Sequence, residues 1–268
     1  MLTDNLILKL ILTPCIIAAA TLVARRYGER IGGLMIGLPL TSGPVSFFFA
    51  VEQGPAFAAS AARNSMLGLI PVAVFCATYV QSARRLRWQW AATLGITAYS
   101  LTVIAMSFLS LNLGVEVLAV SAALCAGYVL IGRMKLEDHP LNPPWWDLPL
   151  RIVIATTLVV AITTAAGSLG ATWAGLLSPF PVFTFVMATF SHSQGGAGAV
   201  WRLIRGVLSG LFSYTSFFIV VVLLVEHASL GLVYTLATLT ALGVSGAELA
   251  IVLWRARRAQ RTKRSFVE

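Results

Sequence analysis

Charge is what this chain has least of. Lys, Arg, Asp and Glu make up 11% of its 268 residues, hydrophobic residues make up 58%, and the mean hydropathy is +0.85. A soluble domain carries about 25% charged residues. The long apolar runs therefore point to the bilayer as their solvent. Cysteine is scarce as well. Cys15, Cys76 and Cys125 are an odd set, each inside an apolar run and without CxxC spacing. They read as buried small hydrophobes rather than disulfides or thiolate ligands. Gly-x-Ser-x-Gly, a P-loop and His-Glu-x-x-His are absent, so no enzyme chemistry, ATP-binding element or cofactor is predicted. Glu226-His227 and Glu137-Asp138-His139 lack a fourth ligand and make weak metal signals.

The net charge of +9 would suit nucleic acid. Its placement argues otherwise, because the Lys and Arg sit in short connections between apolar runs. Nine such runs fall at about 5–24, 31–51, 66–82, 90–109, 114–132, 150–168, 171–191, 204–225 and 230–254. The third is short, which leaves an earlier start within 56–64 or a tilted helix. Asp4 precedes the first run and Arg25, Arg26 and Arg30 follow it, which is the flank pattern of a retained helix rather than a signal peptide. With the N-terminus outside and one crossing per run, seventeen Lys and Arg fall inside and only Lys9 and Arg63 outside. The positive-inside rule then gives N-out, C-in. The expected partners are the lipid bilayer and a small solute, not nucleic acid, and homo-oligomerisation stays open.

Two apolar runs are broken by proline in a similar way. Residues 31–54 carry Pro39 and Pro44, and residues 171–196 carry Pro179 and Pro181. Gly37-Leu38 aligns with Gly175-Leu176, Pro44-Val45 with Pro181-Val182, and Gln53-Gly54 with Gln194-Gly195. The first copy runs inside to outside and the second outside to inside. The expected fold is an all-α polytopic membrane protein of about nine transmembrane helices. Two inverted-topology four-helix repeats are joined by an extra helix. The expected divisions are a first repeat at 1–112, a connecting helix and cytoplasmic linker at 113–148, a second repeat at 149–258 and a basic tail at 259–268.

The stretch Ala174-Gly-Leu-Leu-Ser-Pro-Phe-Pro-Val-Phe, continued by Ser193-Gln-Gly-Gly and Arg202, resembles the GlpM family of small inner-membrane proteins. The resemblance covers most of residues 150–250 and, more weakly, the first half, as a fused inverted duplication. It implies a bacterial inner-membrane location and the helical topology, and no substrate.

Inverted repeats with broken helices are a transporter architecture with sites at the midplane. A secondary transporter or permease for a small solute is the leading expectation, and an accessory subunit of a larger complex the alternative. Non-helical backbone at membrane depth must be buried in protein or line a cavity. The candidate binding residues are therefore Thr41, Ser42, Gly43, Pro44, Ser178, Pro179 and Pro181, with the polar tail His192 and Gln194. Glu52, Gln53 and the intramembrane Glu248 are candidates for gating or coupling. Glu116 reads as a snorkelling residue and Arg63 as an interfacial anchor. Gly95, Gly206, Gly210, Gly243 and Gly246 read as helix-packing glycines.

Overall fold

The computed structural model describes residues 2–108, 112–134, 143–168 and 180–264. They are all-helical, with no strand among the described residues. The helices are α1 (Leu2–Tyr27), α2 (Glu29–Ile36), α3 (Ser42–Gln53), α4 (Pro55–Leu67), α5 (Leu69–Ala83), α6 (Trp88–Met106), α7 (Leu113–Leu130), α8 (Asp147–Ser168), α9 (Val182–Leu224) and α10 (Leu230–Arg264).

Glycine and proline set most of the boundaries. Gly28 separates α1 from α2 at φ 93°. Gly37 closes α2, and Pro39 follows without the N–H that a further turn would need. Pro44 lies in the first turn of α3, where its missing N–H would have no helical partner anyway. The break of the second run therefore spans residues 37–41 and meets the predicted Thr41–Pro44 only at Thr41. Pro55 opens α4, which passes through the helical Gly68 into α5, so the third run does start earlier than its apolar core. Asn112 caps α7 by accepting from the Val115 amide at 3.0 Å.

Five segments are long and apolar enough to cross a membrane: Leu10–Tyr27, Pro55–Ala83, Leu113–Leu130, Val182–Leu224 and Leu230–Trp254. Large apolar side chains on α7 and α10, such as Leu118, Val129 and Leu239, stand exposed with no protein over them. Water would not tolerate such faces on this scale, and lipid does. The chain is a multi-pass membrane protein.

The centre of the molecule is the second part of α9. Leu203, Ile204, Leu208 and Phe218 are fully buried there. Short α2 lies against it in backbone contact. A methyl on Gly33 would fall on the Leu203 carbonyl, and one on Gly206 would fall on the Arg30 carbonyl. A methyl on Gly37 would come within 2.6 Å of the Gly210 Cα. Gly33 and Gly37, like Gly206 and Gly210, are four residues apart, so two small-xxx-small faces meet. Gly95 is likewise tight, against Phe75. Gly243 and Gly246 would meet nothing within 4 Å, so the expected packing role fails there.

Two further glycines turn the chain. Gly54, between α3 and α4, has φ 88° and ψ 168°. Gly196, inside α9, has φ 67° and ψ −166°. This region of backbone space is essentially reserved for glycine. The second turn falls one residue beyond Gly195, the aligned partner of Gly54. Measured from these turns the two parts of the chain keep step. Arg63 and Arg205 lie nine residues on, Phe75 and Phe217 twenty-one, and the next helices begin thirty-four residues on at Trp88 and Leu230.

Candidate functional site

Four charged side chains gather where α1, α2, α8 and α9 meet. Asp147, the first residue of α8, is fully buried. It accepts from Arg25 Nη2 at 2.8 Å, from Arg151 Nε at 3.0 Å and from Gln194 Nε2. Asp147 and Arg151 sit one helical turn apart, which brings them onto one face. Arg151 is 4% exposed; it also donates to Met187 Sδ at 3.1 Å and stacks 4.8 Å above the Phe190 ring. Beside this pair the buried Glu29 of α2 accepts from Ser191 Oγ at 2.9 Å. A cavity of about 20 Å³, one water in size, lies among Thr21, Arg25, Glu29, Arg151 and Gln194.

The two carboxyls are pushed in opposite directions. Both head their helices, ahead of the apolar stretches. Burial alone would raise Asp147, but the Arg25 bond, the Arg151 charge and Gln194 together hold it below the usual carboxylate range. Burial raises Glu29, and it outweighs the Ser191 bond and the nearby charges of Arg151 and Arg202.

A second cluster occupies the other end of the bundle. Arg63 of α4 grips Glu116 of α7 with both arms, Nε–Oε2 at 2.9 Å and Nη2–Oε1 at 2.6 Å. Glu116 is only 3% exposed, so the paired guanidinium, rather than snorkelling, accounts for a carboxylate there. The ion pair borders an open cavity of about 470 Å³ whose polar lining is Ser60, Arg63, Asn64, Glu116 and Glu226. The far end of α7 is held by the arginine at the matching distance from its turn. Arg205 donates to Tyr128 Oη at 2.9 Å and to the Gly132 carbonyl at 3.0 Å, and stacks on the Tyr128 ring at 4.3 Å.

The residues expected from sequence divide among several places. Gln194 belongs to the Asp147 cluster. His192 adjoins it, buried, with its ring edge-on to Tyr79 at 5.9 Å and Nδ1 without a partner among the described residues. Thr41 holds the N-cap position of α3 with helical backbone angles and no side-chain cap bond; Ser42 lies within hydrogen-bonding reach of Tyr214, and Gly43 and Pro44 lie in the first turn beside Phe217. Ser46 and Tyr234 share a hydrogen bond of 2.9 Å next to this break. Pro181 precedes the first residue of α9, and its neighbour Phe180 packs edge-on to Tyr99 at 5.3 Å. Ser178 and Pro179 lie outside the described residues. Glu52 and Gln53 are exposed at the end of α3. Glu248 is partly buried on α10 near Arg30, with Oε2 unbonded. Among the described residues, no group of three His, Cys, Asp or Glu could hold a metal.

The sequence reading missed Arg25, Glu29, Asp147 and Arg151 as a site. One signal was present: an Asp and an Arg four residues apart at the head of an apolar helix. No protein-family model, curated protein or solved structure matches the chain.

Proposed function

We propose that the chain is a secondary transporter or permease of the bacterial inner membrane. It moves a small solute by alternating access between two inverted repeats of a GlpM-like unit, with nine crossings, N-out and C-in. The observation that carries this reading is the contrast between the two ends. One holds an open polar cavity of about 470 Å³, within the range that small ligands occupy. The other is closed by the Arg25–Asp147–Arg151 ion pairs, in which Asp147 and Arg151 are buried and Arg25 is a third exposed. A carrier open to one side would have such a contrast, and this supports the reading. The lining carries one guanidinium and two carboxylates, which suits a polar solute bearing an amine or hydroxyls. The equal spacing of Gly54, Arg63 and Phe75 against Gly196, Arg205 and Phe217 supports the duplication. From the cavity, the candidate binding residues Thr41, Ser42, Gly43, Pro44, Ser178, Pro179 and Pro181 would line the path inward, with Glu52 and Gln53 at its outer rim and His192, Gln194 and Glu248 towards its inner end.

The accessory reading has one observation in its favour. Phe217 and Tyr234 pack together beside Gly43 at the start of α3, and Tyr99 and Phe185 flank Phe180 just before Pro181, with Phe75 against Phe185. Uptake by proteoliposomes under a pH gradient separates the two. Sugars, amino acids and polyols are screened with the intact chain and with Glu116→Gln and Glu248→Gln. Transport predicts uptake of one class, cut at least tenfold by Glu116→Gln. A correctly folded protein that moves none of them leaves the accessory role.

A further inference from the structure

We propose that Glu29 is a proton-binding site whose occupancy controls a tie across the Gly196 turn, making the proton the coupling ion of the transporter proposed above. The inference deepens that reading and rests on it only for the word coupling; the proton site stands on its own geometry.

The position of Glu29 links two parts of α9. Glu29 opens α2, and α2 is seated by backbone contact on the part of α9 that follows Gly196, through Gly33, Gly37, Gly206 and Gly210. Its carboxylate reaches instead to Ser191, in the part that precedes Gly196. The Ser191–Glu29 bond therefore bridges the turn. Ser191 Oγ donates to Glu29 Oε2 at 2.9 Å, and the charges of Arg151 and Arg202 lie nearby. Arg25 and Arg151 are bonded to Asp147, and Arg151 is further occupied by Met187 and Phe190.

The surroundings select the ligand. The adjoining cavity of about 20 Å³ admits a water and excludes a solute. A metal cation would need several oxygen ligands and would face Arg25 from α1, Arg151 from α8 and Arg202 from α9. A proton needs one oxygen and one water to bring it. Asp147 does not compete for it, because its own guanidinium partners keep it ionised. The other ionisable groups near this corner are His192 on α9, Arg30 on α2 and, past Arg30, Glu248 on α10. Burial already favours the neutral form of Glu29.

The step balances simply. A proton from the cavity water adds to one carboxylate oxygen of Glu29 and returns to water on release. The ionised group accepts a charge-assisted bond from the Ser191 hydroxyl, and the neutral group accepts a weaker one. Protonation thus loosens the tie between 182–195 and the α2–α9 unit, and deprotonation tightens it.

The test is infrared difference titration of the intact protein in lipid nanodiscs, with protons as the only ligand. A protonated-carboxyl band should grow as pH falls from 8 to 5. Glu29→Gln should remove one component of it, and Glu248→Gln should leave that component in place. Ser191→Ala should move its midpoint up by about one pH unit, since it deletes a bond to the charged form. A band unchanged by Glu29→Gln overturns the proposal, as does a midpoint indifferent to Ser191→Ala. A Glu29 band that titrates while proteoliposomes move no solute keeps the proton site and removes the transport reading. Uptake without such a band does the reverse.

Discussion

Asp147→Asn should be the most damaging single polar change at the sealed end. The substitution keeps the shape and removes the anion that Arg25, Arg151 and Gln194 share. Arg25 is a third exposed, so water screens its loss to under about 1 kcal/mol. Arg151 is 4% exposed and would be left as a buried cation. Orphaning one partner of a buried pair costs about 3–5 kcal/mol. Met187, Phe190 and the nearby Glu29 still face the guanidinium, which places the loss at the lower figure. Arg151→Met in the same background removes the orphan, so the double variant should be more stable than Asp147→Asn alone. Thermal unfolding in detergent can be followed by a thiol-reactive dye on buried Cys76, with exposed Cys15 and Cys125 changed to Ser. The pH sign is a second check. A carboxyl held below its usual range contributes all its stability above that range and loses it only as pH falls through the depressed value. The gap between parent and Asp147→Asn should therefore be the same at pH 8 and pH 6. A gap that closes over that interval, or a double variant as unstable as the single, refutes the reasoning.

Glu29→Gln should show the opposite pH signature: burial raises the Glu29 carboxyl, so the parent loses stability as pH rises through that value, and the melting advantage of the Gln variant should widen from pH 5 to pH 8. Gly206→Ala should cost about 1–3 kcal/mol by pushing α2 off α9, whereas Gly243→Ala, in open space, should be neutral or slightly stabilising in the same assay. Gly54→Ala and Gly196→Ala meet no neighbouring atom, so any loss is conformational strain, about 1–3 kcal/mol at each turn. Equal melting of either variant and the parent would show that the turn adapts to a side chain.

Hydropathy alone was enough to read an all-helical, multi-pass membrane chain, because lipid leaves the backbone no alternative to bonding itself. Five described segments have spanning length and apolarity, and the second of the nine runs is two short helices, α2 and α3. Pro181 stands directly before α9, and proline marked the first break, which lies a few residues upstream of Pro44. That shift has a physical cause: a proline in a first turn disrupts nothing, and Gly37 with Pro39 does the stopping. Tertiary partners were not legible. Glu29 and Ser191 are 162 positions apart, and Arg25 and Asp147 are 122 apart. Each looked complete as part of a loop. The glycine faces of α2 and α9 were equally hidden, since a glycine four residues from another becomes a contact only when a partner supplies the same spacing. Gly243 and Gly246, three apart and facing no protein, show how weak one such pattern is.

A charge beside an apolar run has two uses, and the sequence displays only one of them. Arg25, Arg151, Arg202 and Arg205 were counted as inside charges, and that count remains the argument for orientation. The same side chains are structural. Arg25 and Arg151 hold Asp147, and Arg205 closes the C-terminal end of α7, where the helix leaves carbonyls exposed. Arg63, one of two cations expected outside, is bound at the N-terminal end of the same helix through Glu116. An orientation signal needs only the sign of a charge. Gripping both ends of α7 from two arginines, each nine residues past a glycine turn, needs position as well. That added requirement is what a chance scatter of loop charges would not meet.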